Sequence, residues 1–225
     1  MIIYYGTRHG GVVDRHGGEH AATRFVHVYW LPIIPIGSTW VTAEDGKHIR
    51  GVPIGLHPRS VLAAYARTWG VIAAIALIVS GSPGGIAAGA AIGAASLATW
   101  LWHGLRGERA RRRSDLMEAS VGVRCPPEIM SMTTARTLSR AVEQAWGQHS
   151  ADRAPEDVAR FGPASPGQAA HAFALLSLRA RTAGGADGRR LREQAERIVD
   201  QAHEAPQLGA GPYRVSADAI EQDVA

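Results

Sequence analysis

From Thr68 to Leu105 the chain carries no Asp, Glu, Lys or Arg and is almost wholly apolar. The run is broken once, by Ser80-Gly81-Ser82-Pro83-Gly84-Gly85, and is closed by Arg106, Arg109, Arg111, Arg112 and Arg113. A bilayer core about 30 Å thick takes roughly 20 apolar residues per helical span. Counted from Val61, the run holds two such spans, over about 61–80 and 85–103, and the expectation is a transmembrane helical hairpin at 61–105. The competing reading, two buried core helices of a soluble protein, needs a large body to cover helices that are apolar on every side. A chain of 225 residues divided into three dissimilar segments hardly supplies one.

Charge sets the expected topology. Arg59 and Arg67 precede the hairpin, five arginines follow it and the connecting loop is uncharged. The positive-inside rule then places both termini in the cytoplasm, with the chain multi-pass in the inner (cytoplasmic) membrane. Arg67 falls just inside the first span, where a long side chain can snorkel to the headgroups. Residues 1–67 carry a net +3, residues 106–113 a net +4 and the remainder −3, giving the chain its +4. The cluster at 106–113 is therefore read as a basic juxtamembrane segment that attracts anionic lipid headgroups, at roughly 1 kcal/mol per basic residue. Nucleic acid is not an expected partner, because no aromatic platform or recognition-helix pattern accompanies the basic residues. A cleaved leader is not expected either, since the apolar run begins some sixty residues in and the N-terminus reads as strand.

Within the second span Gly85, Gly89 and Gly93 recur every fourth residue, with Ala90 and Ala94 beside them. Helical geometry puts this series on one face, where missing side chains let another backbone approach closely. The first span of the same hairpin is the favoured neighbour, and a second copy of the chain in a homo-oligomer is the other.

Residues 1–60 read as a small β-rich domain. Ile2–Tyr5, Val12–Asp14, Thr23–Leu31, Thr39–Thr42 and His48–Val52 are β-branched or aromatic runs, separated by Gly10-Gly11, Gly17-Gly18, Gly37-Ser38 and Asp45-Gly46. Pro32 and Pro35 remove two ladder donors, so the strand from Thr23 is expected to end or move to an edge near Leu31. Trp30, Leu31, Pro32, Ile33, Ile34 and Pro35 then form a stiff, poorly paired ridge. It covers the small core or offers an interfacial or partner-binding surface, with Trp30 and Trp40 at headgroup level.

This part of the chain resembles a little-characterised group of membrane proteins. The resemblance rests on Tyr5-Gly6, Val13-Asp14, Ala22-Thr23-Arg24-Phe25 and the Leu-Pro-x-x-Pro-x-Gly-Ser motif at 31–38, with Arg50-Gly51-Val52-Pro53-Ile54-Gly55-Leu56 and Ser60-Val61 further on. It covers about the first seventy residues and implies a small domain ahead of transmembrane helices, with no activity to transfer. The Pro-x-x-Pro-x-Gly turn also looks like one in certain zinc-ribbon proteins. Their paired cysteines are absent, and Cys125 stands alone, so neither a thiolate zinc site nor an internal disulfide is available. His9, His16, His20 and His27 fall within nineteen residues, but with few supporting carboxylates and no His-x-x-x-His they do not form a recognisable ligand set. No metal or other cofactor is expected.

Residues 114–207 read as a cytoplasmic α-helical domain. One helix is expected from Pro126-Pro127-Glu128 to Gly147, with Ala135, Leu138, Val142, Ala145 and Trp146 on its apolar face. A second starts in a capping box at Ser165-Pro166-Gly167-Gln168, and a third is capped by Asp187 and carries Leu191, Ala195, Ile198 and Ala202. These last two resemble a single helix-hairpin unit of tetratricopeptide-like adapters, without the repeat an array requires. Residues 208–225 are expected to form a flexible acidic tail.

The fold class is thus an α+β membrane protein. No nucleophile elbow, phosphate-cradling loop or Cys-His pair in a recognisable setting points to an enzyme. The expected function is a non-enzymatic, membrane-anchored scaffold or adapter that presents both domains to a protein partner. A pore or membrane-remodelling subunit assembled through the glycine face is one alternative, and a metal-dependent hydrolase using the N-terminal histidines is another.

Overall fold

The protein is described by a computed structural model that covers residues 5–45, 48–101, 107–150, 152–202 and 222–223. It is an α+β chain with an antiparallel N-terminal sheet followed by helices. The chain divides into two compact units, one of Met1–Ala43 with Ile54–Leu105 and one of Glu44–Pro53 with Arg106–Ala225.

The sheet runs β1 (Tyr5–His16), β2 (Glu19–Val28), β3 (Leu31–Asp45) and β4 (His48–Ile54) in sequential order, and a two-residue strand, β5 (Gln222–Asp223), pairs with β4. Three long strands replace the shorter ones read from composition. Gly10-Gly11 is not a turn but a break of register within β1, and Gly37-Ser38 is paired inside β3. Gly17-Gly18, both at positive φ, form the turn between β1 and β2.

The largest correction concerns the prolines. The chain reverses at Tyr29-Trp30, with Tyr29 at φ 58°, and Leu31–Asp45 returns as a continuous strand that includes Pro32 and Pro35. Register shifts in the β2–β3 ladder fall between Arg24 and Phe25 and between Val26 and His27, where β2 pairs with Pro35 and Pro32. The ladder accommodates the two missing N–H groups by slipping there, as bulges do, instead of ending.

In the same unit, α1 (Pro58–Tyr65) starts on His57, whose side chain accepts from the Ser60 N–H at 3.3 Å. The other ring nitrogen of His57 lies 3.4 Å from Asp14. Since Nδ1 accepts, the neutral ring carries its proton on Nε2, facing that carboxylate. Ser60, Ala63 and Ala64 are buried, and at Gly11 (φ 66°) a Cβ would run into the Ser60 carbonyl. The first five residues of the expected first span, 61–65, therefore belong to the sheet's own helix. The apolar hairpin proper begins later than Val61, beyond a π-helical turn at Ala66–Gly70.

The hairpin consists of α2 (Val71–Val79) and α3 (Pro83–Leu101). By length and composition, the two helices Pro58–Val79 and Pro83–Leu101 are each able to cross a membrane. Residues 102–105 and Arg106 lie outside the described residues. Gly89 is buried against α2, where a Cβ would sit 2.7 Å from the Ala74 carbonyl oxygen and 2.8 Å from Ile78. At Gly85 it would lie 2.8 Å from the Leu77 carbonyl, while at Gly93 it would reach only ordinary contact with Ala74, at 3.7 Å.

The second unit is built around α7 (Pro166–Ala183), buried on nearly every side. It starts as expected on Ser165, whose hydroxyl accepts from the Gln168 N–H at 3.2 Å. Around it lie α4 (Glu108–Val121), α5 (Met132–His149), α6 (Pro155–Phe161) and α8 (Gly185–Gln201). Several expected boundaries are corrected. One helix, α4, crosses the supposed border at 113/114. The helix expected at Pro126 begins at Met132, because residues 126–130 form isolated turns and Ser131 supplies the cap by accepting from the Thr134 N–H. It runs past Gly147 to His149. Gly184, not Asp187, precedes the first turn of α8, and Gly188 presses on α7 where a Cβ would lie 2.8 Å from the Ala180 carbonyl. Of the expected tail at 208–225, all but 222–223 lies outside the described residues.

Replacing Gly89 by leucine should separate α2 from α3 and lower the melting temperature in detergent by the equivalent of about 1–3 kcal/mol, the usual cost of overpacking. Gly93→Ala should leave the melt unchanged.

Candidate functional site: a cationic cleft at the base of the hairpin

The first unit contains a cleft of about 490 Å³ lined by residues of β1, β2, α1, the π turn and α3. Its polar lining is Arg8, His9, Arg15, His27, Arg67 and Thr68, and its apolar lining includes Phe25, Trp30 and Trp100. Among the described residues no carboxylate lines it.

Arg67 organises the cleft. A π turn admits an extra residue and re-aims the side chains around it. Here it directs Arg67 toward two partners distant in sequence. The guanidinium donates to the Val12 carbonyl at 3.0 Å, to the Thr99 hydroxyl at 3.3 Å and to the Thr99 carbonyl at 2.5 Å. It also lies 4.8 Å from the centre of the Trp100 ring, a cation–π contact. Three of five N–H groups are thereby used, all on neutral acceptors. Two further donors fix the ridge beside the cleft: the Trp69 indole N–H to the Pro32 carbonyl at 3.1 Å and the Tyr65 hydroxyl to the Ile33 carbonyl at 2.7 Å. Arg67 thus does not simply snorkel; it pins β1 to α3.

The ridge residues are placed unequally. Trp30 is 64% exposed, Ile34 is 58% exposed and Ile33 is exposed, whereas Leu31 and Pro35 are half-buried and Pro32 is buried. Trp40 is not at a surface at all; its ring is fully buried and its N–H donates to Glu19 at 2.5 Å. His9 and His27 line the cleft, His16 pairs in register with Glu19 and His20 is buried. Among the described residues no group of three His, Cys, Asp or Glu is arranged to hold a metal ion. Asp14, His57 and Ser60 are neighbours without the geometry of a nucleophilic triad, since the Ser60 hydroxyl donates to the Gly10 carbonyl at 3.4 Å and His57 is engaged by backbone.

The basic cluster lies elsewhere and is largely paired within the helical unit. Arg109 meets Glu196 at 3.1 Å and Asp200 at 3.0 Å, Arg112 meets Glu108 at 2.6 Å, and Arg113 meets Glu128 and Glu196. Arg111 is exposed, and Arg106 lies outside the described residues. Such pairing leaves α4 less positive than its composition suggests.

Sequence reasoning missed Arg8 and Arg15 as site residues, and it missed Trp100. The sole signal was that Arg67 interrupts an apolar helix, an arrangement costly enough to need a partner. Comparison with protein-family models, with curated proteins and with solved structures finds no match for this chain.

Arg67→Lys keeps the charge but cannot reproduce the fork. It should lower stability by about 1.5–3 kcal/mol, the scale of hydrogen bonds to charged groups, as read from thermal melts in detergent. Tyr65→Phe should cost about 0.5–1.5 kcal/mol.

Proposed function

We propose that the protein is a non-enzymatic membrane anchor whose sheet and helical unit lie on one face of the bilayer, held there by the α2–α3 hairpin. One observation carries this reading. The two apolar helices bury little of themselves: Ile75, Ile78, Val79, Ile86, Ile92, Leu97, Trp100 and Leu101 are all exposed, Val79 at 78% and Leu101 at 79%. Full burial of such a side chain is worth about 1.5–3 kcal/mol, and each of these forgoes a part of it in proportion to its exposure. Lipid removes that cost without any further protein. The uncharged tip suits the same setting, since the Ser80 hydroxyl donates to the Leu77 carbonyl at 2.6 Å and the Ser82 hydroxyl accepts from the Gly85 N–H at 3.0 Å.

Length refines the topology. With Arg67 and Thr99 level at the headgroup boundary, residues 68–79 extend about 18 Å and residues 83–98 about 24 Å beyond it. A hydrocarbon core is about 30 Å thick. Measured from Arg67, the hairpin would turn back before the far headgroups, and the arginines on its flanks favour entry from the cytoplasmic face. A protein partner bound to either unit is then confined to the membrane surface, which raises encounter rates by effective concentration alone. The pore alternative needs the glycine face free for a second copy, and Gly85 and Gly89 already meet α2.

High-speed centrifugation of lysed cells should leave the protein in the pellet through a high-salt wash and release it only with detergent. Monomeric, folded protein in the untreated supernatant would overturn the anchor. A cysteine at Ser82 should resist a membrane-impermeant maleimide applied to either face, whereas labelling from outside intact spheroplasts would show that the hairpin crosses.

A further inference from the structure

Three arginines converge on a cleft whose described lining contains no carboxylate. Arg8 and Arg15 come from β1 and are exposed, and neither forms an ion pair among the described residues. Arg67 enters from the π turn and spends its hydrogen bonds on two carbonyls and a hydroxyl. Carboxylates are not scarce nearby, because Asp14 lies on the same strand as Arg8 and Arg15. It faces His57 and Arg59 instead, at 3.4 and 3.9 Å. Like charges gathered around a cleft repel, and an anion bound among them removes that repulsion.

Geometry selects the kind of anion. The guanidinium of Arg67 is held on one side by Val12 and Thr99 and on its face by Trp100, so its two remaining N–H groups are fixed before any ligand arrives. Planar forks of this kind match the oxygens of a phosphate group. The aromatic residues point to where the ligand's apolar part lies. Trp30 and Trp100 line the cleft and are exposed, as rings at a membrane interface are, and the bare apolar surface of α3 begins next to Trp100.

We infer that this cleft binds a phosphate oxyanion, and that the headgroup of an anionic phospholipid supplies it while the acyl chains lie along the hairpin. The site rests on the membrane-anchor reading for its lipid source, though not for its phosphate chemistry. Headgroup recognition is thereby assigned to Arg8, Arg15 and Arg67 rather than to the paired arginines of α4.

The test uses the full-length protein and its Arg8→Gln/Arg15→Gln variant, chosen because both side chains are exposed and the fold does not depend on them. Flotation is measured with phosphatidylcholine vesicles and with vesicles of phosphatidylcholine and phosphatidylglycerol. The native protein should bind both and favour the anionic vesicles. The double variant should lose about 30-fold of that preference, from roughly a fivefold contribution of each basic residue at an anionic surface, while binding neutral vesicles as before. Arg189→Gln/Arg192→Gln, an equal charge change on exposed positions of α8, should keep most of the preference. An equal loss in that control, or no preference for anionic vesicles in the native protein, overturns the cleft as a headgroup site while leaving the anchor standing. Failure to float with either vesicle removes the anchor instead. Titration of detergent-solubilised protein with glycerol 3-phosphate and with inorganic phosphate separates the sources. Competition by glycerol 3-phosphate alone supports the headgroup, whereas tight binding of inorganic phosphate that survives the flotation failure assigns the cleft to a free anion and overturns the lipid source.

Discussion

The contact between Arg67 and the backbone of Val12 and Thr99 decides what the apolar hairpin can be. A hairpin of Ala, Gly and Ile has no polar handle of its own, so its depth and tilt are set wherever it is tied to something polar. Here a single guanidinium joins β1, the π turn and α3 through three hydrogen bonds, and the Trp100 ring covers its face. Tyr65 and Trp69 fix the neighbouring proline strand from the same stretch of helix. Hydrogen bonds to a charged donor strengthen as the surroundings become less polar, so apolar surroundings at the hairpin base would tighten this tie.

The parts of this architecture that could be read in the sequence are those with a period or a local cap. The four-residue spacing puts Gly85 and Gly89 on one helix face, where a Cβ would meet α2, whereas Gly93 of the same series makes only ordinary contact. Ser165 with Gln168 marks the start of α7, and Ala195 and Ile198 mark the buried side of α8, because these signals act within one or two turns. The π turn has no such signature. Nothing about Ala66-Arg67-Thr68-Trp69-Gly70 distinguishes it from regular helix until Arg67 is seen to need acceptors fifty-five and thirty-two residues away. The cleft was hidden for the same reason, since Arg8 and Arg15 look like ordinary strand-edge charges until the chain brings Arg67 beside them.

Two segments meet partners that their local sequence does not announce. Pro32 and Pro35 predict the end of a strand, and an isolated strand would end there; the ladder to β2 absorbs the defect by slipping register twice. The arginines of α4 predict attraction to a lipid surface, and an isolated helix would feel it, but Glu196, Asp200 and Glu128 answer most of that charge from within the folded unit. In each case the surroundings of the segment include a partner supplied from elsewhere in the chain. Exposed ion pairs of this sort are worth little in stability, yet they change what the surface presents to others.

Small residues in the hairpin serve depth as well as packing. Gly70 sits where a Cβ would collide with the Ser96 hydroxyl, and Gly89 where one would meet the Ala74 carbonyl. The two helices therefore approach closely at base and middle and again at Gly85 near the tip, while Ile75, Ile86 and Leu97 are turned outward. In water this would be a poor arrangement, because the interior is made of the smallest residues and the surface of the largest. Between acyl chains it is economical: apolar side chains gain nothing by hiding from lipid, so close backbone contact is the main source of cohesion left to a helix pair. The inversion of large and small residues, together with serine hydroxyls that bond to their own backbone at the tip, is the feature on which the membrane-anchor proposal rests.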